Sequence, residues 1–123
     1  RALPLPVSVP SHCALMQPAA DMLRIALAEM AVVSPAVPVI HNADVVAHAD
    51  PEAIKDALAR QLFCPVRWVE SMQALQAQGA ELIAECGPGK VLAGLNKRIL
   101  DNLPTLALTD AVSVAELSAK VAD

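Results

Sequence analysis

The stretch that decides the fold lies between Glu81 and Leu108 and has the sequence ELIAECGPGKVLAGLNKRILDNLPTLAL. Residues 81–85, with three apolar residues at their centre, predict a strand, and a turn rich in glycine and proline follows it. Helical spacing of apolar residues then predicts a helix from Lys90, and residues 104–108 predict a second strand. The side chains expected to point inward from this helix are Val91, Leu92, Leu95 and Ile99. Because strand, helix and strand follow one another, the stretch predicts an α/β fold with a largely parallel sheet.

The rest of the chain continues the alternation of strands and helices. Residues 3–9 predict a strand, residues 18–34 a buried helix, and the β-branched run at 37–40 a short buried strand. The polar region that follows holds His41 and His48, for which solvated or turn-bonding roles are expected.

Helix start and stop signals are strong in the second half of the chain. Asp50 followed by Pro51 predicts the first turn of a helix, Pro65 begins another helix, and Gly79 ends it. Ser113 starts a capping-box pattern for a last helix near the end of the chain. The predicted order is β-α-β-α-α-β-α-β-α.

Composition narrows the possible functions. The 123 residues are 55% hydrophobic but only 2% aromatic, so aliphatic side chains fill the core. The formal net charge of −4 and the scattered Lys and Arg residues argue against nucleic-acid binding. The most apolar run, residues 30–40, is too short to span a membrane and holds two prolines. Cys13, Cys64 and Cys86 are widely spaced and match no zinc pattern, which favours reduced thiols in a cytoplasmic protein.

The start of the chain carries the sharpest chemical signal. The chain opens inside a predicted strand without an initiating Met, which leads us to expect a fragment. His12 lies where that strand ends and a helix begins, the edge at which parallel α/β sheets bind ligands. An imidazole exchanges a proton near neutral pH, so His12 is a candidate general base. Its position and residue type also fit a histidine that merely hydrogen-bonds a neighbouring carbonyl.

The chain offers no nucleophile beside His12. Ser11 and Cys13 are its sequence neighbours, whose side chains point away from it, and a nucleophile must lie within about 3 Å of its base. No GxSxG segment is present. The turn Gly87-Pro88-Gly89-Lys90 departs from the phosphate-loop pattern because Val91 stands where Ser or Thr is needed. We interpret it as a strand-to-helix turn that requires permissive glycine backbone.

Three segments are informative when taken together. They are SVPSHCALM at residues 8–16, RQLFCPVRW at residues 60–68 and ECGPGKVL at residues 85–92. Each resembles a segment of bacterial malonyl-CoA:acyl-carrier-protein transacylases, in the family's order and at about its spacing. The resemblance covers nearly the whole chain and fades after about Asn102.

The resemblance implies a fold in two subdomains. The family has a large subdomain with an α/β-hydrolase-like parallel sheet, into which a small ferredoxin-like subdomain is inserted. Residues 1–12 would be the last strand of the small subdomain and the turn of the catalytic histidine. Residues 13–123 would be the C-terminal part of the large subdomain. His12 would lie at the seam between them, which suits a ligand cleft.

The resemblance also implies a mechanism, the ping-pong transfer of a malonyl group from coenzyme A to the phosphopantetheine thiol of acyl carrier protein in fatty acid synthesis. A serine in a GHSxG-type segment would attack the thioester with His12 as general base. The family holds its histidine with a main-chain carbonyl, and Gln61 matches that position. The serine, the oxyanion donors and the malonyl-binding arginine lie upstream in the family, and neither Arg67 nor Arg98 matches that arginine. The chain alone is therefore expected to be inactive.

The implied partners are malonyl-CoA as a substrate, acyl carrier protein and the missing N-terminal part of the same enzyme, with no cofactor, nucleic acid or membrane. Three alternatives stay open. The chain could come from the acyltransferase domain of a polyketide synthase, although its end near Asp123 favours a free-standing enzyme. It could be a non-catalytic module that binds acyl carrier protein, because the nucleophile is absent. A hydrolase that uses Cys13 or Cys86 is the third, and no orienting group is evident for either thiol.

Overall fold

The computed structural model describes residues 8–100 and 102–122 and shows a mixed α/β chain. Its elements are, in chain order, a 3-10 turn (Ala14–Met16), α1 (Gln17–Ala28), β1 (Ile40–His41), β2 (Val46–Ala47), α2 (Pro51–Gln61), α3 (Trp68–Ala77), β3 (Ile83–Cys86), α4 (Val91–Ile99), β4 (Thr105–Leu108) and α5 (Ala111–Val121). The chain divides into two compact units, Arg1–Ser71 and Met72–Asp123, and the division falls within α3. None of the described helices combines the length and the apolar character needed to cross a membrane.

In the first unit, α1 and α2 pack against each other. The buried residues of the two helices are Ala20, Leu27, Ile54, Ala57 and Ala59. Three of these five are alanines, whose small side chains allow two helices to approach closely. The guanidinium carbon of Arg24, on α1, also lies 5.7 Å from the ring centre of Phe63, just beyond the end of α2.

Both ends of α2 follow from local chemistry. The Asp50 carboxylate accepts the N–H of Ala53 at 2.9 Å and Pro51 is the first helical residue, so the predicted start is confirmed. At the other end, Pro65 has no N–H to donate to the carbonyl of Gln61, four residues earlier. The helix therefore stops with that carbonyl available to a partner outside the helix.

The predicted buried strand at residues 37–40 is wrong. The two valines of this run are exposed, and strand pairing begins only at its last residue. Pro38 lies within the run and donates no N–H, which prevents a regular ladder. The chain instead turns back at residues 42–45, and β1 pairs antiparallel with β2 in a short hairpin.

The second unit contains the strand, helix and strand from which the fold class was predicted. β3 and β4 pair in parallel, with Ile83 opposite Thr105 and Cys86 opposite Leu108, and α4 connects them. α5 packs against β4. The α/β class and the parallel pairing are therefore confirmed. The α/β-hydrolase-like and ferredoxin-like subdomains, with a boundary between residues 12 and 13, stay predictions.

Two helices of the second unit differ from the prediction in detail. The capping box of α5 is formed by Asp110 with Ser113, so Asp110 rather than Ser113 is the N-cap. On α4, the side chains expected to point inward are largely exposed, whereas Ala93 and Asn96 are buried. The physical reason is that two strands cover only a narrow strip of a helix, and in α4 that strip carries Ala93 and Asn96.

Two further predictions concern the ends of elements. Gly79 follows α3 with a φ of 88°, which confirms it as the residue that ends this helix. The strand predicted at residues 3–9 falls mainly outside the described residues, and residues 8–10 are not in a strand.

Candidate active site

His12 precedes the 3-10 turn and is exposed. Its φ of 62° lies in the left-handed region, where a non-glycine residue costs about 1–3 kcal/mol. Its main-chain N–H donates to the carbonyl of Leu62 at 2.9 Å. A strained residue that is held by a distant part of the chain is typical of functional positions.

The ring of His12 is held by the end of α2. Its Nδ1 lies 2.8 Å from the main-chain oxygen of Gln61, the last residue of the helix. Because Pro65 leaves that oxygen without a helical donor, the imidazole takes the place that a backbone N–H would otherwise occupy. The structure thus brings His12 and Gln61 together, and their catalytic roles stay predictions.

The hydrogen bond determines the tautomer of the ring. A carbonyl oxygen can only accept, so the Nδ1 of His12 must carry the proton. In the neutral ring, Nε2 then has the free lone pair and is the atom that can take a proton from a substrate group. The side-chain amide nitrogen of Gln61 is also 3.5 Å from Nδ1. Both nitrogens are donors, so this second approach adds no hydrogen bond.

The cysteine beside His12 has a different partner. The Cys13 thiol lies 3.2 Å from the carbonyl of Pro10, to which it donates. The site therefore contains a histidine and the main-chain carbonyl that holds its ring. In the described residues, no group of three His, Cys, Asp or Glu side chains is arranged to hold a metal ion.

In the Gly87-Pro88-Gly89-Lys90 turn, a side chain of the protein already bonds the amides that a phosphate would need. The Glu85 carboxylate accepts the N–H groups of Leu92 and Ala93 at 3.2 and 2.8 Å, so the first amides of α4 already bond an anion. The expectation that these glycines need permissive backbone is wrong, because neither lies in the left-handed region and a Cβ on either would meet no atom within 4 Å. Nothing in the structure explains the choice of glycine there.

A second polar cluster, whose contacts with Asp44 sequence reasoning missed, lies in the first unit. Asp44, in the hairpin turn, accepts from Arg60 Nη2 at 2.6 Å and from His48 Nε2 at 2.9 Å through the same oxygen. Arg60 Nε also donates to Asp56 at 2.6 Å. The rings of His41 and His48 lie 5.5 Å apart. His48 thus bonds the turn, one of the two roles expected of it.

The charges of this cluster are well defined. Burial raises the pKa of Asp44, but hydrogen bonds from Arg60 and His48 together outweigh burial and lower that pKa to about 2. Hydrogen bonds to Asp44 and Asp56 raise the pKa of Arg60. Burial, and then the nearby His48, lowers the pKa of His41. Asp44 and Arg60 therefore form an ion pair throughout the neutral pH range.

Comparisons with known proteins add a family relationship. No family model matches the chain. The chain is 55% identical, over 94% of its length, to the malonyl CoA-acyl carrier protein transacylase of Salmonella typhimurium. The crystal structure of an acyl carrier protein S-malonyltransferase from Vibrio cholerae matches 95% of the chain with a TM-score of 0.91 and 58% identity. A structure of a type II PKS acyl-carrier protein in complex with its malonyl-transacylase matches 98% with a TM-score of 0.94 and 48% identity.

By its fold and by these matches, the chain is similar to a class of α/β proteins, the acyl-carrier-protein malonyltransferases. Within this class, the chain is a relative of the malonyl CoA-acyl carrier protein transacylases, as the three sequence segments predicted. It spans 37% of the length of the Salmonella protein and 38% and 39% of the two solved chains.

Proposed function

We propose that this chain supplies the general base, and the support of that base, to an enzyme that moves a malonyl group from coenzyme A to the phosphopantetheine thiol of acyl carrier protein. The observation that carries the proposal is the hydrogen bond from the His12 ring to the Gln61 carbonyl, in a relative of malonyl transacylases. It makes Nε2 a proton acceptor on an exposed ring. The serine nucleophile belongs, in this proposal, to the part of the enzyme outside these 123 residues.

In the first half-reaction, the serine oxygen attacks the thioester carbonyl of malonyl-CoA while Nε2 of His12 takes the hydroxyl proton. The tetrahedral intermediate collapses and the C–S bond breaks. His12 returns the proton to the departing sulfur. Coenzyme A leaves as a neutral thiol, and the serine carries the malonyl ester.

In the second half-reaction, His12 again takes a proton from the nucleophile and then gives it to the leaving group. The phosphopantetheine thiol gives its proton to Nε2 of His12, and its sulfur attacks the ester carbonyl. The C–O bond breaks and the serine oxygen recovers the proton. The malonyl group leaves on acyl carrier protein. Malonyl-CoA is a substrate in this cycle, which assigns no step to a cofactor.

A main-chain carbonyl suits a base that is neutral in one step and charged in the next. The Gln61 oxygen accepts from Nδ1 in both states of His12, so the ring keeps its orientation when Nε2 takes a proton. The carbonyl also lies at the C-terminal end of α2, where the helix dipole is negative.

The uncovered apolar surface of the first unit supports the proposal that the chain works as part of a larger enzyme. Leu15, Met22 and Ile25 are 74%, 73% and 71% exposed. Large apolar side chains that cluster at a surface usually mark an interaction site. We assign their covering to the N-terminal part of the same enzyme. The proposal places that enzyme in the cytoplasm, where the three free cysteines stay reduced.

A second setting for the same chemistry is supported by one comparison. The solved malonyl-transacylase that matches 98% of the chain is bound to a type II PKS acyl-carrier protein. A carrier protein of polyketide synthesis is therefore a second candidate acceptor. Initial rates with carrier proteins of the two kinds distinguish these settings, because the preferred acceptor gives the higher kcat/KM.

The test of the proposed function is the kinetic pattern of the complete transacylase, meaning this chain together with the serine-bearing part. Because an acyl-enzyme separates the two half-reactions, we expect ping-pong kinetics. Double-reciprocal plots of initial rate against malonyl-CoA, at several concentrations of acyl carrier protein, should be parallel. Intersecting lines would rule out the acyl-enzyme.

The side chain of Gln61 should matter little, because its main-chain oxygen holds His12. We expect Gln61→Ala in the complete transacylase to keep transfer within about threefold of wild type. Leu62→Pro should lower it about 10²-fold, because a proline forces the preceding residue out of the helical region and turns its carbonyl away. Leu62→Ala is the matched control, and circular dichroism checks that each variant is folded. A large loss in Gln61→Ala would contradict the carbonyl's role.

A further inference from the structure

The placement of His12 depends on the helix end that holds it. Two consecutive carbonyls, those of Gln61 and Leu62, accept hydrogen bonds from its ring and its main-chain N–H at 2.8 and 2.9 Å. The last turn of a helix lacks some of the hydrogen bonds of its middle and frays more readily. A contact that holds the last turn of α2 in position therefore also holds His12, the proposed general base, in position.

Arg60, the residue before Gln61, ties this turn to another element. Its Nη2 donates to the carboxylate of Asp44 at 2.6 Å, and Asp44 lies in the hairpin turn between β1 and β2. Arg60 also donates through Nε to Asp56 at 2.6 Å. Asp56 lies on α2 itself, one turn earlier, so this ion pair connects the helix only to itself. The contact with Asp44 is the one that joins two elements.

The turn that carries Asp44 is held at several points. Val45 has a φ of 63°, which is strained for a β-branched residue. The Asp44 carboxylate accepts the N–H of Val46, and the Asp44 carbonyl accepts from Arg67 Nη1, both at 3.3 Å. The N–H of Arg67 donates to the carbonyl of Asn42, also at 3.3 Å. A strained turn that polar contacts hold in place is an effective anchor for the arginine.

We propose that Asp44 and Arg60 are positioning residues for His12. Their ion pair joins the hairpin turn to the last turn of α2, and it thereby sets where the Gln61 oxygen lies and which way the imidazole points. The effect reaches the ring through Gln61 and involves no contact with the reacting atoms. This inference rests on the proposed function, because it assigns the support of the base in that reaction.

Asp44→Asn in the complete transacylase tests the inference, and Asp56→Asn is the matched control. Each variant replaces one carboxylate partner of Arg60 with the same amide. A base displaced by about an ångström costs up to about 10²-fold, so we expect Asp44→Asn to lower the single-turnover rate of serine acylation about 10- to 100-fold. The malonyl-CoA concentration that gives half the maximal rate should stay within about twofold of wild type. In Asp56→Asn, both this concentration and the acylation rate should stay within about twofold of wild type.

A second readout follows the tautomer of His12, which a purely structural role of Asp44 would not change in the folded enzyme. Nitrogen NMR of histidine-labelled protein distinguishes a ring protonated on Nδ1 from one protonated on Nε2, and His12→Ala assigns the signals. We expect the Nδ1–H form in the wild type and in Asp56→Asn. Asp44→Asn should give a mixture of the two forms, because Nδ1–H loses a fixed acceptor.

The outcomes separate this inference from the proposed function. Equal acylation rates in Asp44→Asn and Asp56→Asn, with the Nδ1–H form in both, would overturn the inference and leave the function intact. Full activity of His12→Ala would instead remove the function. Where Asp44→Asn does not fold, Arg60→Gln replaces it, because a neutral glutamine amide cannot form an ion pair with Asp44. A wild-type rate and tautomer in Arg60→Gln would overturn the inference equally.

Discussion

Replacing His12 with alanine in the complete transacylase should lower malonyl transfer about 10²–10⁴-fold, the usual range for loss of a general base. Without Nε2, the serine hydroxyl must lose its proton to water during attack, and the departing sulfur receives none from the enzyme. In the proposed mechanism both half-reactions transfer a proton through this nitrogen, so both should slow. The measurement is the initial rate of malonyl-acyl carrier protein formation from malonyl-CoA.

His41→Ala is the matched control for this prediction. It removes an imidazole from the same unit, at a position in β1 to which no catalytic role is assigned. We expect its transfer rate to stay within about threefold of wild type. A His12→Ala rate within about twofold of wild type would exclude His12 as the general base.

A polypeptide limited to residues 1–123 should transfer no malonyl group above background. Its sequence has no serine in a GxSxG segment, and its candidate base has no nucleophile to activate. Loss of the nucleophile of a serine enzyme costs roughly 10⁶-fold, which is the largest effect expected here. The assay is again the formation of malonyl-acyl carrier protein, at the enzyme concentration used for the complete transacylase.

The control for the isolated chain is the complete transacylase with its proposed serine replaced by alanine, which should give the same background rate. Circular dichroism of the isolated chain shows whether its helices form, so a missing nucleophile can be distinguished from unfolding. Turnover by the isolated chain at the rate of the complete enzyme would mean that a residue within these 123 residues acts as nucleophile.

The sequence predicted the parts of the fold that depend on neighbouring residues. Asp50 and Pro51 set the start of α2, and Gly79 takes the left-handed conformation after α3. The order of strand, helix and strand between residues 81 and 108 predicted the parallel pair of β3 and β4. Each of these features depends on backbone conformation and on hydrogen bonds within a short segment, which residue type strongly restricts.

The parts that residue patterns alone did not predict depend on contacts between distant residues. Asp44 and Arg60 are 16 positions apart, in a turn and a helix, and no periodic pattern connects them. His12 and Gln61 are 49 positions apart, and their pairing was implied by resemblance alone. One local signal was present, because Pro65 frees the Gln61 carbonyl from the helix. That signal does not reveal which donor takes the free carbonyl.

The proposed mechanism requires His12 to activate the serine, and the formation of the malonyl-enzyme in a single turnover measures this step directly. Complete wild-type and His12→Ala enzymes are mixed with excess malonyl-CoA, quenched at intervals and analysed by intact protein mass. We expect the mass gain of one malonyl group to develop about 10²–10⁴-fold more slowly in His12→Ala than in the wild type. Equal rates of mass gain in the two enzymes would exclude His12 as the base that activates the serine.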